Sequence, residues 1–78
     1  MRRRIKLYFD EESAAEPIIF NLGQQFGIVT NIVSAQMSPS GGDIEAEMEG
    51  ETDAIDEALA FATSRGVRWD DITEDIDL

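Results

Sequence analysis

The sequence predicts an α+β domain in which a four-stranded antiparallel sheet carries two helices on one face. Two segments, 3–9 and 43–49, alternate apolar and charged residues with the period of two that half-buried strands show. Two others, 18–26 and 55–62, repeat apolar residues at helical spacing. At 78 residues the chain makes one small domain, with a core that leaves only a few kcal/mol of net stability.

The first strand is predicted over 3–9, where alternate positions are apolar: Ile5, Leu7 and Phe9. Ser13 and Glu16 have the spacing of a capping box, so we expect a helix to begin there, with Pro17 in its first turn. The apolar stripe of this helix comprises Ile18, Ile19, Leu22 and Phe26. Gly27 is well placed as the left-handed residue that ends it.

A second strand is predicted from about residue 28 to 37, and both of its faces are partly apolar. We expect Ile28 and Ile32 on one face and four residues on the other: Val29, Val33, Ala35 and Met37. Residues 39–42 form the turn that follows. In the third strand, over 43–49, apolar residues alternate with carboxylates.

Thr52 is predicted to cap the second helix, whose buried face carries Ile55, Ala58, Leu59 and Ala62. Arg65 and Gly66 end this helix, and a last strand follows over 67–72. We expect the domain to span residues 1–73. The acidic end over 74–78 is predicted to be frayed.

The resulting order, β-α-β-β-α-β, is the ferredoxin-like arrangement, in which the first and third strands are antiparallel neighbours. Charge supports this pairing. On the open face, Arg4 and Lys6 would lie opposite the carboxylates of the third strand, Glu45, Glu47 and Glu49.

Residues 17–42 carry no charged side chain, although 29% of the chain is charged. This segment includes the second strand, which lies at a sheet edge in this topology. Natural edges are usually blunted by charges or bulges, so a neutral β-branched edge invites pairing with another chain. We expect the surface for a dimer or partner to comprise Gln24, Gln25, Thr30, Ser34 and Gln36. The alternative is an unguarded edge on a protein kept in solution by its net charge.

Composition excludes several functional classes. The net charge of −11 argues against nucleic acid and against an anionic membrane surface, and no apolar stretch approaches the length of a membrane span. The chain has no Cys and no His, so we expect no cofactor, no metal centre of the usual kind and no catalytic residue. Weak cation binding by the acidic end and phosphate binding by the arginines at 2–4 are minor alternatives. We expect a soluble, cytoplasmic protein.

Much of the chain resembles the NIL domain, the small module at the C-terminus of the ATPase subunits of bacterial methionine importers. The triplet that gives the family its name appears as Asn31-Ile32-Val33, with valine in place of leucine. The other residues that carry the resemblance are Phe9, Glu16-Pro17-Ile18-Ile19, Phe26-Gly27-Ile28, Ser34-Ala35-Gln36-Met37, Gly41-Gly42, Gly50, Ala58-Leu59 and Gly66-Val67.

The resemblance implies a regulatory, ACT-like domain that forms a homodimer and binds methionine. It implies a ligand site near the dimer interface, formed by Asn31, Ile32, Val33, Ala35 and Met37. An asparagine amide suits the ammonium and carboxylate groups of an amino acid, and Met37 suits a thioether. The alternatives are that Asn31 caps the strand entry and that Met37 is ordinary packing.

Two functions therefore remain open from the sequence. The first is a non-catalytic sensor that binds an amino acid such as methionine across a homodimer. The second is an adaptor that docks an unidentified protein partner on its neutral edge strand and first helix. The chain has no phosphate-binding loop, so ATP hydrolysis is not expected of it.

Overall fold

The computed structural model describes residues 1–75. Within this range the chain forms four strands and three α-helices, followed by a 3₁₀ turn over Thr73–Asp75. The elements in order are β1 (Arg2–Phe9), α1 (Glu11–Ala14), α2 (Ile18–Phe26), β2 (Val29–Ser38), β3 (Gly41–Glu49), α3 (Thr52–Ser64) and β4 (Arg68–Asp71).

The four strands form one antiparallel sheet in the order β2-β3-β1-β4, which confirms the ferredoxin-like prediction. The predicted register of the central pair is also confirmed, since Arg4 lies opposite Glu47 and Lys6 opposite Glu45. Arg4 Nη1 donates to a Glu45 carboxylate oxygen at 2.9 Å. Each partly exposed pair of this kind contributes only a few tenths of a kcal/mol, so these pairs mainly specify which strands are neighbours.

The core lies between one face of the sheet and the helices. Alternation in the central strands sends their apolar residues to this face: Ile5, Leu7 and Phe9 from β1, and Ile44, Ala46 and Met48 from β3. The helices contribute Ile18 and Leu22 from α2, and Ile55, Ala58, Leu59 and Ala62 from α3. Both apolar stripes predicted from helical spacing therefore pack on the sheet.

The first helical segment differs from the prediction, because it is divided at Pro17. The capping box is formed by Asp10 and Ser13, not by Ser13 and Glu16: the Ser13 amide donates to Asp10 Oδ1, and the Asp10 amide donates to Ser13 Oγ, each at 2.9 Å. Pro17 has no N–H to continue α1 and disfavours helical geometry at Glu16, so α2 begins only at Ile18. Gly27 ends α2 with φ of 68°, as predicted.

The second half of the chain follows the prediction with two corrections. Thr52 does not cap α3, since Glu51 occupies the N-cap position and the Thr52 hydroxyl lies 3.4 Å from Met1 Sδ. The last strand is shorter than predicted, covering Arg68–Asp71. The predicted frayed end begins in the 3₁₀ turn, and its residues 76–78 lie outside the described residues.

Candidate functional site

The outer strand β2 is the most exposed regular element of the protein. Every residue from 31 to 40 is exposed, and none of them is charged. In the described sheet β2 pairs only with β3, so the hydrogen-bonding edge on its other side has no strand beside it. The large apolar side chains of this strand are about half exposed: Val29 at 54%, Ile32 at 53%, Val33 at 51% and Met37 at 40%.

A two-residue turn of Pro39 and Ser40 joins β2 to β3, and glycine follows it at two positions. Gly41 and Gly42 have φ of 122° and 151°. A Cβ at Gly41 would overlap the carbonyl oxygen of Phe9, and one at Gly42 would overlap that of Gln36. Gly42 therefore allows β3 to lie close against β2, and Gly41 allows the start of β3 to lie close to the end of β1.

A β-bulge at Val33 divides β2 into two parts. Ile32 lies opposite Ala46, but the next residue of β3, Glu45, lies opposite Ser34, so Val33 is the extra residue. The bulge moves Ala35 and Met37 to the face that carries Ile32. The expectation that Ala35 and Met37 share a face with Val29 is therefore wrong, because it assumed unbroken alternation.

The register sorts the predicted site residues onto two faces. On the helix-facing side, Ile32, Ala35 and Met37 lie opposite Ala46, Ile44 and Gly42. On the open side, Asn31 lies opposite Glu47, and Ser34 and Gln36 lie opposite Glu45 and Asp43. The residues proposed to bind a ligand thus surround an exposed strand, with Asn31 on one face, three apolar residues on the other and Val33 at the bulge.

The residues predicted for a partner surface are also distributed. Gln24 and Gln25 are exposed on α2, and Ser34 and Gln36 are exposed on β2. Thr30 differs, because it lies opposite Met48 on the helix-facing side, where its hydroxyl oxygen is buried and has no hydrogen-bond partner. Phe20 on α2, which the sequence prediction did not include, is 65% exposed and adds an apolar group to the uncharged segment.

A row of carboxylates lies beside the neutral strand, on β3. Asp43, Glu45, Glu47 and Glu49 follow one another along the open face of β3, directly beside β2. The cations that pair with these carboxylates all belong to β1, on the side away from β2. Arg2 lies 3.6 and 3.7 Å from Glu47 and Glu49, Arg4 contacts Glu45 and Glu47, and Lys6 lies 3.9 Å from Asp43. The side of this row that faces β2 has only neutral side chains.

A second acidic group lies at the hairpin end of β2. Asp10, Glu11, Glu12, Ala15 and Pro39 line an open depression of about 630 Å³. The hydrogen bond from the Ser13 amide lowers the pKa of Asp10 below its ordinary value, with a further contribution from the Ser13 hydroxyl. Asp10 is therefore ionised at neutral pH, and the depression is negatively charged.

The described residues provide no obvious metal centre. Among residues 1–75 no three carboxylates are grouped so that they could hold a metal ion. Within the same range no helix is long and apolar enough to cross a membrane.

This geometry defines a small ferredoxin-like domain whose distinguishing surface is a neutral sheet edge. The family model of the NIL domain matches residues 3–71, so the chain belongs to the NIL domain family. Its fold is similar to that of the C-terminal domain of an ABC transporter ATP-binding protein from Enterococcus faecalis, with a TM-score of 0.81 and 22% identity over 90% of this chain and 82% of that one. At this identity the likeness shows the fold alone. No curated protein matches the chain.

Proposed function

We propose that this chain is a cytoplasmic regulatory domain that binds an amino acid, such as methionine, at or near a homodimer interface that includes β2. The observation that carries the proposal is the run of ten exposed, uncharged residues over 31–40 on a strand with a free edge. The match to the NIL domain family supports a regulatory function, and a solved structure with a similar fold is the C-terminal domain of an ABC transporter ATP-binding protein.

An unpaired edge strand favours association with a second copy of the chain. The bulge at Val33 interrupts this edge, but on either side of it the backbone N–H and C=O groups that face away from β3 are available for a further ladder. The half-exposed apolar side chains also gain from burial. Because residues 31–40 are uncharged, two copies can meet along this strand without bringing like charges into contact, despite a net charge of −11 on each.

The ligand would bind beside the same strand. Asn31 offers one acceptor oxygen and two N–H donors, which suit the carboxylate and ammonium groups of an amino acid. Ile32, Ala35 and Met37 form a short apolar surface on the opposite face of β2. A ligand held by Asn31 therefore reaches them only around the free edge of the strand, where Met37 is suited to contact a thioether. Since these side chains are exposed in the single chain, a second copy is needed to enclose a ligand.

The experiment is a calorimetric titration of L-methionine into the purified protein, with L-leucine and L-glutamate as comparison ligands and the molecular mass measured in parallel. We expect saturable heat with methionine from a dimer, and loss of that heat in Asn31→Ala. Asn21→Ala, which removes an amide from α2, is the matched control and should bind normally. If Asn31→Ala binds methionine as the unaltered protein does, the proposed site is wrong.

A second function, as an adaptor for another protein, is favoured by the exposed groups of α2. Phe20, Gln24 and Gln25 place an apolar and two neutral polar side chains outside the strand itself. An adaptor would tolerate Asn31→Ala and lose its partner in Gln36→Lys. A sensor would keep its dimer when Gln24 or Gln25 is replaced by glutamate.

A further inference from the structure

The free edge of β2 has a charge pattern that indicates a particular kind of partner. We propose that this edge accepts an extended peptide segment in which apolar residues alternate with lysine or arginine. The inference specifies the partner chemistry of the adaptor function proposed above. The peptide would add as a fifth strand, and its two faces would meet different surroundings.

The helix-facing side of the added strand would meet apolar groups. Ile32, Ala35 and Met37 occupy this side of β2 and are exposed, because α2 and α3 cover the central strands instead. Cross-strand neighbours on one face contact each other directly. Apolar residues at every second position of the peptide would therefore pack on Ala35 and Met37, which are two residues apart. The extra residue Val33 separates this pair from Ile32, so contact with Ile32 requires the peptide to pass the bulge.

The open side of the added strand would lie near the carboxylate row of β3. Strands are spaced about 4.8 Å apart, so the row lies about 10 Å from the backbone of a strand added beside β2. Only small or neutral side chains intervene, above all Ser34, which lies directly opposite Glu45. Lysine and arginine side chains can extend across Ser34 toward Glu45, and acidic side chains would be repelled there.

The protein already contains one strand of this kind. In β1, Arg2, Arg4 and Lys6 lie on the open face, where they pair with the same row of carboxylates from its other side. Alternate residues of β1, including Ile5 and Leu7, are buried. The row of carboxylates on β3 therefore has a basic strand on one side and a neutral strand on the other. A basic strand added beyond β2 would place positive charge on the second side as well.

Negative charge also lies near the hairpin end of β2. Pro39 follows the last residue of β2 and lines the depression that contains Asp10, Glu11 and Glu12. Among the described residues no cation lies within ion-pair distance of Glu11 or Glu12. A basic residue at the end of the peptide that reaches Pro39 would find these carboxylates without a competing partner.

The test uses fluorescence anisotropy with an octapeptide of alternating valine and lysine, capped at both ends so that only its side chains are charged. Two peptides serve as comparisons: one with glutamate in place of lysine, and one with the four lysines in a single block. Titrations are done at protein concentrations where the mass in solution is that of one chain, so that a second copy does not occupy the edge.

We expect saturable binding of the alternating lysine peptide and none of the glutamate peptide. Ser34→Lys places a new cation within about 7 Å of two lysines of the bound peptide. This repulsion should weaken binding by about fivefold. Ser34→Gln, which lengthens the same side chain without charge, should bind normally. The block peptide should bind about tenfold more weakly, because its charges do not fall on one face.

Three results would overturn the inference: no binding of the alternating lysine peptide, equal binding of the glutamate peptide, or unchanged binding in Ser34→Lys. The last would mean that the peptide is attracted by the net charge of −11 at some other surface. The mass measurement keeps the two proposals separate. A protein that binds methionine as a dimer but does not bind the peptide at concentrations where it is a monomer contradicts this inference alone. A protein that binds the peptide but forms no dimer and binds no amino acid contradicts the sensor function alone.

Discussion

Replacing Ile32 by serine should weaken the homodimer about twice as much as it destabilises the single chain. Ile32 lies on the helix-facing side of β2 and is 53% exposed in the single chain, so about half of its side chain remains to be buried by a second copy. In a dimer with twofold symmetry the residue contributes from both chains, and one substitution removes two contacts.

The magnitude follows from the exposed fraction. Complete burial of an isoleucine side chain contributes roughly 1.5–3 kcal/mol, so the exposed half contributes about 0.8–1.5 kcal/mol per chain. Counted twice, the loss is about 1.5–3 kcal/mol, which corresponds to a rise in dimer Kd of roughly 10- to 150-fold. The loss of stability of the single chain is bounded by the other half, at about 1.5 kcal/mol.

The assay is sedimentation over a dilution series, which gives the dimer Kd, with urea unfolding of the single chain as the second measurement. Ala60→Ser is the matched control, because Ala60 is exposed on α3, away from β2. A dimer Kd that is the same for Ile32→Ser and Ala60→Ser would refute the assignment of β2 to the interface.

Four further predictions concern the fold itself. Leu22→Ala should cost about 2–5 kcal/mol in urea unfolding, since Leu22 is fully buried in the core. Gly42→Ala should leave the chain largely unfolded by circular dichroism, because its Cβ would overlap the Gln36 carbonyl. By contrast Gly27→Ala, where nothing lies within 4 Å of the new Cβ, should cost only the roughly 1–2 kcal/mol of a left-handed residue. Partial burial raises the pKa of Asp71, but hydrogen bonds from the Thr73 hydroxyl and amide and from Arg3 outweigh it and hold that pKa below 3.8. This contribution to stability is present above about pH 4 and lost as pH falls through the lowered pKa, so urea midpoints of Asp71→Asn should decline less on acidification.

The sheet and the core could be predicted from the sequence because they depend on strong periodic patterns. Ile44, Ala46 and Met48 alternate with carboxylates, and this alternation identifies both the face of β3 and its basic neighbour. Leu22 and Leu59 likewise follow from helical spacing, and both are buried where the pattern puts them.

The local details that the sequence did not predict have two causes. Ser13 has possible capping partners three residues away on either side, Asp10 and Glu16, and the choice depends on the restriction that Pro17 imposes on Glu16. The bulge at Val33 has no glycine or other local signal, because it arises from the fit of β2 onto β3. It could not be read from one strand alone.

The candidate site was predictable as a segment but not as a surface. The uncharged segment pointed to β2, and the strand is exposed as an edge strand should be. The face that each residue occupies depends on the bulge. That Asn31 lies on the opposite face from Ala35 and Met37 could therefore be seen only from the register of β2 against β3. The ligand and dimer assignments of these residues stay predictions.

Amide hydrogen exchange of residues 29–38 tests the central claim, that the free edge of β2 is where this domain associates, most directly. The exchange is measured at protein concentrations well below and well above the dimer Kd, with and without L-methionine. We predict that amides of β2 slow with association and slow further with methionine, whereas amides of β4 do not change. Slower exchange confined to α3 or β4, with β2 unchanged in a dimer, would contradict the account.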